Sequence, residues 1–195
     1  MDDIVKQAMA KWPNVPHCYG WLALDARGNW RMRDDTAQRT NGPGDKLAHV
    51  ALIGFINRNY AHDDKGRWYF QNGPQRVYVN LEATPFIART DPAQGFVLQD
   101  GQALPAVDGV FMTDAGAVIL QAGDIVAQLD DRDVEQVLGR MELEGRPASI
   151  EAIMAWLEDD TEELVLAVGE QRVRVERLAA EALPRRFGYV QLPGA

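Results

Sequence analysis

The chain is short of thiol and imidazole, and it has no long apolar run. Its single cysteine, Cys18, can form no internal disulfide in 195 residues, which suits a reducing compartment. The three histidines, His17, His49 and His62, show no H-x-x-x-H or H-E-x-x-H spacing, so the usual helix-borne metal sites are absent. No apolar stretch approaches the roughly 20 residues that span a bilayer, and Met1-Asp2-Asp3 is acidic where a secretory signal is basic. A cytoplasmic protein without membrane contact is therefore expected. Positive charge is also scarce. Lys and Arg number 20 against 29 Asp and Glu, a net charge of −9, which argues against nucleic acid as a partner. What is present is the 46% hydrophobic and 25% charged composition of a packed globular chain, which excludes disordered and fibrous classes.

The shortages are unevenly spread. Up to Asp91 there are 12 basic and 10 acidic residues, a net of +2, and beyond it 8 and 19, a net of −11. Eleven of the sixteen aromatic residues precede Asp91. The segment Thr90-Asp91-Pro92-Ala93-Gln94-Gly95 combines Pro, Gly and polar residues, so a boundary is expected there. The reading is two domains, 1–92 rich in aromatics and 93–195 acidic.

Periodicity predicts a short helix near 2–12 and a hairpin, Gly20 to Asp25 with Trp30 to Arg33, about the turn Ala26-Arg27-Gly28-Asn29. Asp45 is expected to cap a largely buried helix from Lys46 to Asn59. Arg67 to Gln71 and Gln75 to Leu81 flank Asn72-Gly73, a strong hairpin signal. A strand is expected at Phe86 to Arg89. Beyond residue 93, strands are expected near 95–99, 109–113, 117–121 and 125–129, helices near 131–142 and 149–158, and a closing hairpin of 164–168 with 171–178.

Displaced by 96 residues, Asp63 to Val79 falls on Asp159 to Val175 with seven of seventeen positions identical, where chance gives on the order of one. Gly20 to Ala26 similarly echoes Gly109 to Ala115 at an offset of 89. The fold class expected is α+β, with two domains, each hairpin, helix, hairpin, related by an internal duplication.

The first half, through Asp25-Ala26-Arg27-Gly28-Asn29-Trp30, Asp64-Lys65-Gly66-Arg67-Trp68-Tyr69, Pro74-Gln75-Arg76-Val77 and Glu82-Ala83-Thr84-Pro85-Phe86-Ile87-Ala88, resembles a bacterial family of unknown function. The resemblance implies two domains with repeated structural motifs and a part in signal transduction, suggested for that family by structural analogy. The family's usual acidic–basic pair is replaced here by Gln75-Arg76. No catalytic residue is established for it, and none is carried over.

Alternation across the Asn72-Gly73 hairpin separates a core face, Trp68, Phe70, Val77, Val79 and Leu81, from an outer face bearing Arg67, Tyr69, Arg76 and Tyr78. With Tyr69 opposite Arg76 and Arg67 opposite Tyr78, two guanidiniums beside two phenols could hold an anionic or planar ligand, a partner, or the acidic second half. They would equally serve as solvated cross-strand pairs.

Other motifs carry less. His62-Asp63-Asp64 reads as a helix-exit turn rather than a metal site. Asp131 to Glu142 lacks the glycine of a calcium loop. Gly42-Pro43-Gly44-Asp45-Lys46 lacks the length and ending of a P-loop. His17-Cys18 are adjacent and so badly placed as base and nucleophile. Lys65 to Phe70 only faintly matches an RNA-stacking strand. No metal, cofactor or catalytic residue is assigned. The expected function is a non-catalytic module that binds a small ligand or a protein and serves a regulatory role. The alternative is a hydrolase with an acidic cleft between the two halves.

Overall fold

A five-residue turn ends the first strand and sets the first sheet. In the computed structural model, which describes residues 1–159 and 162–194, the backbone N–H of Gly28 donates to Asp25 O at 3.0 Å and that of Asp25 to Asn29 O at 3.0 Å. Gly28 takes φ +76°, a conformation that glycine adopts without penalty. The turn joins β1 (Cys18–Leu24) to β2 (Trp30–Met32), which pair antiparallel with Leu24 beside Trp30. Ahead of them lies α1 (Asp3–Lys11) and after them α2 (Asp35–Arg39), whose cap Asp34 accepts from Ala37 N–H. Then follow β3 (Asp45–Lys46), α3 (Val50–Arg58), β4 (Tyr60–His62), β5 (Trp68–Asn72) and β6 (Gln75–Leu81). The six strands lie in the order β3-β2-β1-β6-β5-β4, antiparallel except for the β1–β6 pair. Phe55 of α3 meets Phe70 edge-on at 5.4 Å.

Three details differ from the sequence reading. Asp45 is no cap: it and Lys46 pair with Met32 and Arg31 as a sixth strand. The helix therefore starts later, capped by His49, whose Nδ1 accepts from Leu52 N–H at 3.2 Å. Nor is that helix largely buried, since only Ile56 is enclosed and Val50 is 82% exposed. One side of it rests on the sheet. The third difference is the β5–β6 register, in which Tyr69 faces Tyr78, Gln71 faces Arg76 and Phe70 faces Val77. The loop residues are Gly73 and Pro74 rather than Asn72 and Gly73. Pro74 has no N–H and cannot stand in the ladder opposite Gln71. A shift of two residues leaves every side chain on its expected face.

The second compact unit holds β7 (Phe86–Asp91), β8 (Gly95–Leu98), β9 (Gly109–Thr113), β10 (Val118–Ala122), β11 (Ile125–Leu129), α4 (Val134–Leu138), β12 (Met141–Leu143), β13 (Arg146–Pro147), α5 (Ile150–Glu158), β14 (Leu164–Val168), β15 (Gln171–Leu178) and α6 (Leu183–Phe187). Its nine strands run β13-β12-β14-β15-β9-β10-β11-β7-β8. Val118, Ile119, Leu120, Leu164 and Leu166 are wholly buried. The expected helix 131–142 is a 3₁₀ turn (Asp131–Asp133) and α4, which ends at Gly139 before β12.

The units comprise residues 1–85 with 188 onward, and residues 86–187. The boundary expected at 92/93 lies instead in the β7–β8 turn, where Asp91 accepts from the N–H of Ala93 and Gln94. The turn signal is genuine, but it joins two strands of one unit. The chain returns to the first unit at its end: Val190 bridges Arg67, its N–H donates to Gly66 O at 3.0 Å, and Leu81 N–H donates to Gln191 O at 2.8 Å.

Each unit contains a run of four strands with the same connections, β2-β1-β6-β5 in the first and β10-β9-β15-β14 in the second. In each the central pair is parallel, Leu22 beside Val79 and Val110 beside Val175. Thr113, not Asp114, takes the turn role of Asp25: Gly116 N–H donates to Thr113 O, and Ala117 N–H to Thr113 Oγ1. The first hairpins thus correspond at an offset of 88. Asp160 and Thr161 of the sequence repeat lie outside the described residues.

The returning end makes one close approach. Gly66 has φ +72°, and a Cβ there would stand 1.9 Å from Gly188 O. Gly66→Ala is expected to cost about 3 kcal/mol or more and to unseat residues 188–192. Gly101→Ala, with φ +85° but open space, should cost only about 1 kcal/mol. Chemical denaturation of both variants checks this, and equal losses would contradict it.

Candidate functional site: the polar face of the first sheet

One face of the first sheet is polar across four strands. Arg67, Tyr69 and Gln71 share it with Arg76, Tyr78 and Asn80, and the register sets Asn80 beside Ala23 and Ala23 beside Arg31. All four residues singled out in the sequence lie on this face, but it is not an open surface. Tyr78 is fully buried and Tyr69 is 6% exposed, whereas Trp68 and Val77, expected in the core, are only half-buried. The reason is position. β6 is inside the sheet, and rings cover this side of it: Tyr19 stacks on Tyr78 at 4.7 Å and His17 meets it edge-on at 5.6 Å. Tyr69 and Tyr78 therefore serve as platforms and present no contact surface of their own. Arg67 lies 4.8 Å over the Tyr78 ring and Arg76 lies 4.5 Å over Tyr69, so the solvated-pair reading fails for both.

Asp63 holds the left-hand part of this face. Its Oδ1 accepts from the N–H of Lys65 and Arg67, each at 3.0 Å, and its Oδ2 from Arg67 Nε at 2.8 Å and Tyr78 Oη at 3.0 Å. Burial raises the carboxyl's pKa, but the N–H of Arg67, its guanidinium, the Tyr78 hydroxyl and the N–H of Lys65 outweigh it and hold the pKa at about 2. Burial raises the Tyr78 phenol, and its bond to Asp63 works in the same direction. A terminal nitrogen of Arg67 donates to the Tyr78 oxygen at 3.3 Å. Beside it, Gln71 is 1% exposed, and its Oε1 has no partner among the described residues.

The second part lies over β1, β2 and β6. Arg33 is 6% exposed, and its guanidinium donates to Gly42 O (3.0 Å), Asn41 Oδ1 (3.2 Å), Gly20 O (3.4 Å) and Ala37 O (3.4 Å). All four acceptors are neutral. Arg31 instead donates from Nε to Asp25 Oδ2 at 2.7 Å. Asp25 also accepts from the N–H of Arg27 and Asn29 and from the Asn29 amide. Burial raises its pKa, but the Asn29 and Arg31 bonds prevail and lower it. A cavity of about 310 Å³ adjoins these groups, bounded also by Asn80 and Leu192.

Asp25, Arg31, Arg33 and Asn80 do not stand out in the sequence as site residues, and Asp63 reads there only as part of a turn. A signal for the two aspartates is present: Asp25-Ala26-Arg27-Gly28-Asn29-Trp30 and Asp63-Asp64-Lys65-Gly66-Arg67-Trp68 share the pattern Asp-x-basic-Gly-x-Trp. In both, the aspartate accepts from the N–H groups two and four residues on. Arg33 has no such signature because its partners are three backbone carbonyls and an amide.

No three His, Cys, Asp or Glu side chains among the described residues converge to hold a metal ion. His49 caps a helix, and the Nδ1 of His62 contacts Asp63 O at 2.9 Å. Among the described residues no helix is long and apolar enough to cross a membrane. The carboxylates whose pKa values are displaced, Asp2, Asp25, Asp63, Asp130, Asp133 and Glu151, are all lowered. None is in the raised state that a general acid requires.

A pH dependence follows from Asp63. Its folded pKa lies below the unfolded value of 3.8, so its stabilisation is complete above about pH 4 and is lost as pH falls towards 2. Asp63→Asn is expected to be less stable than the parent by about 2 kcal/mol near neutrality, and the gap should close by pH 2. Urea denaturation across this range measures it, and a gap independent of pH would contradict the assignment.

No curated protein matches the sequence. Two solved structures match it, both DUF1285 family proteins. The one from Silicibacter pomeroyi DSS-3 has 14% identity and a TM-score of 0.51 over 88% of this chain and 87% of that chain. The one from Shewanella baltica OS155 has 15% identity and a TM-score of 0.41 over 60% and 88%. The family described as "Protein of unknown function (DUF2946)" matches residues 1–194, and the chain belongs to that family.

Proposed function

We propose that the protein is a non-catalytic binding module with a regulatory role, and that it takes an anionic ligand on the polar face of its first sheet. One observation carries this reading: two guanidiniums on that face, Arg33 and Arg76, have no carboxylate partner among the described residues. A cation held by neutral acceptors keeps its charge available to a ligand, whereas one paired with a carboxylate does not. Arg67 and Tyr78 take the supporting part, fixed by Asp63. Tyr69 carries Arg76. The hydrolase alternative gains no support from the carboxylates, whose displaced pKa values all run the wrong way for an acid catalyst.

The common strand order and parallel central pair of the two units, with Gln75–Val79 in β6 and Gln171–Val175 in β15, support an internal duplication. The second copy has Arg172 and Arg174 where the first has Arg76 and Tyr78. On this reading only the first copy has kept the aromatic platform.

The test is to titrate the isotopically labelled full chain with acetate, hexanoate, phosphate and sulfate at constant ionic strength and to follow amide and side-chain resonances. Saturable shifts confined to the polar face are expected for at least one anion, with a rise in melting temperature by mass action. Shifts scattered over exposed Lys and Arg of both units, or none, would contradict the proposal.

A further inference from the structure

We infer that the 310 Å³ cavity beside Arg33 is the binding site for a small monocarboxylate with an apolar chain. The inference rests on the reading of this face as an anion surface and names its place and ligand class. The cavity is bounded by Arg31, Arg33, Asn41, Pro43, Asn80 and Leu192. Its volume of about 310 Å³ is at the lower end of the roughly 300–1,000 Å³ of small-molecule sites.

The lining is rich in hydrogen-bond donors. Asn41 presents Oδ1 to Arg33, so its amide N–H groups are left over. The Asn80 side chain, on the sheet floor, makes no hydrogen bond among the described residues. Arg31 is held by Asp25 through Nε and donates from one terminal nitrogen to Gly44 O at 3.2 Å, leaving the other available. An oxyanion seated here would meet a guanidinium that no carboxylate among the described residues hydrogen-bonds, and two amides that can supply N–H donors.

Two carboxylates limit the ligand's charge. Asp25 and Glu82 also border the cavity. Asp25 is saturated by its turn and Arg31, and Glu82 accepts from Ala26 N–H at 3.1 Å. Their field offsets much of what the arginines offer, so one negative charge is tolerated and the second charge of a phosphate monoester is repelled. The apolar part of the ligand has a place at the rim, where Pro43 and Leu192 stand and Leu192 is 67% exposed. An aliphatic chain there would take Leu192 out of water.

Hexanoate and inorganic phosphate are the probes, and the full labelled chain is the sample. Hexanoate is expected to give saturable shifts at the Asn41 and Asn80 amides, Arg33 Nε–H and Leu192 N–H, and phosphate at equal ionic strength and about pH 8.5, where it is the dianion, none. Asn80→Asp, which adds a negative charge to the floor, should weaken hexanoate roughly tenfold. Leu192→Asp, at an exposed position, should do likewise and remains informative if Asn80→Asp fails to fold. The inference is overturned if hexanoate leaves these resonances in place, if both variants bind it as the parent does, or if phosphate binds the cavity more tightly. Shifts gathered instead around Arg76 and Tyr69 would overturn this site while leaving the anion surface intact.

Discussion

The parallel pairing of β1 with β6 is the constraint on which the first unit depends. It joins residues 18–24 to residues 77–81, and parallel strands cannot be joined by a tight turn. The intervening chain supplies β2 to β5 and α3, so closing this one pair fixes the whole sheet order. It also composes the polar face, setting Ala23 next to Asn80 and bringing Tyr19 over Tyr78. The pairing is irregular between Cys18 and Leu22, where Gly20 takes φ +80°. The Gly20 carbonyl in that irregular stretch accepts from Arg33.

The charge pattern follows from how the two aspartate turns are made. Asp25 and Asp63 are each engaged by backbone N–H groups and by a nearby arginine, so their negative charge is committed to holding the turns and aiming Arg31 and Arg67. Arg33 and Arg76 make no hydrogen bond to either aspartate; Arg33 is satisfied by carbonyls and an amide, and Arg76 lies over the Tyr69 ring. A chain of net charge −9 thereby keeps a cationic face on one sheet. Buried guanidiniums without counter-ions are costly, and the cost is borne by the density of neutral acceptors around Arg33.

Alternation made much of this legible in advance. Strand parity placed Arg67, Tyr69, Arg76 and Tyr78 on one face, and it survived the two-residue register shift because side chains repeat every second residue. Composition could not show which face would be covered. Tyr78 is buried by Tyr19 and His17, sixty residues away in sequence, through a parallel pairing that leaves no local trace. The domain boundary failed for a related reason: Pro92 and Gly95 mark a turn truly, but a turn signal does not say whether the strands beside it separate or pair. Asp45 was misread because an aspartate before an apolar run suits a cap equally well as an edge strand, and β2 recruited it.

If the polar face of the first sheet holds a small organic anion beside Arg33, a heavy-atom anion will occupy that place. A crystal grown with 4-bromobenzoate tests it most directly, because bromine marks its own position by anomalous scattering. One bromine peak is expected near Pro43 and Leu192, with the carboxylate towards Arg33, Asn41 and Asn80. Bromine peaks only elsewhere on the molecule, with water alone beside Arg33, would contradict it.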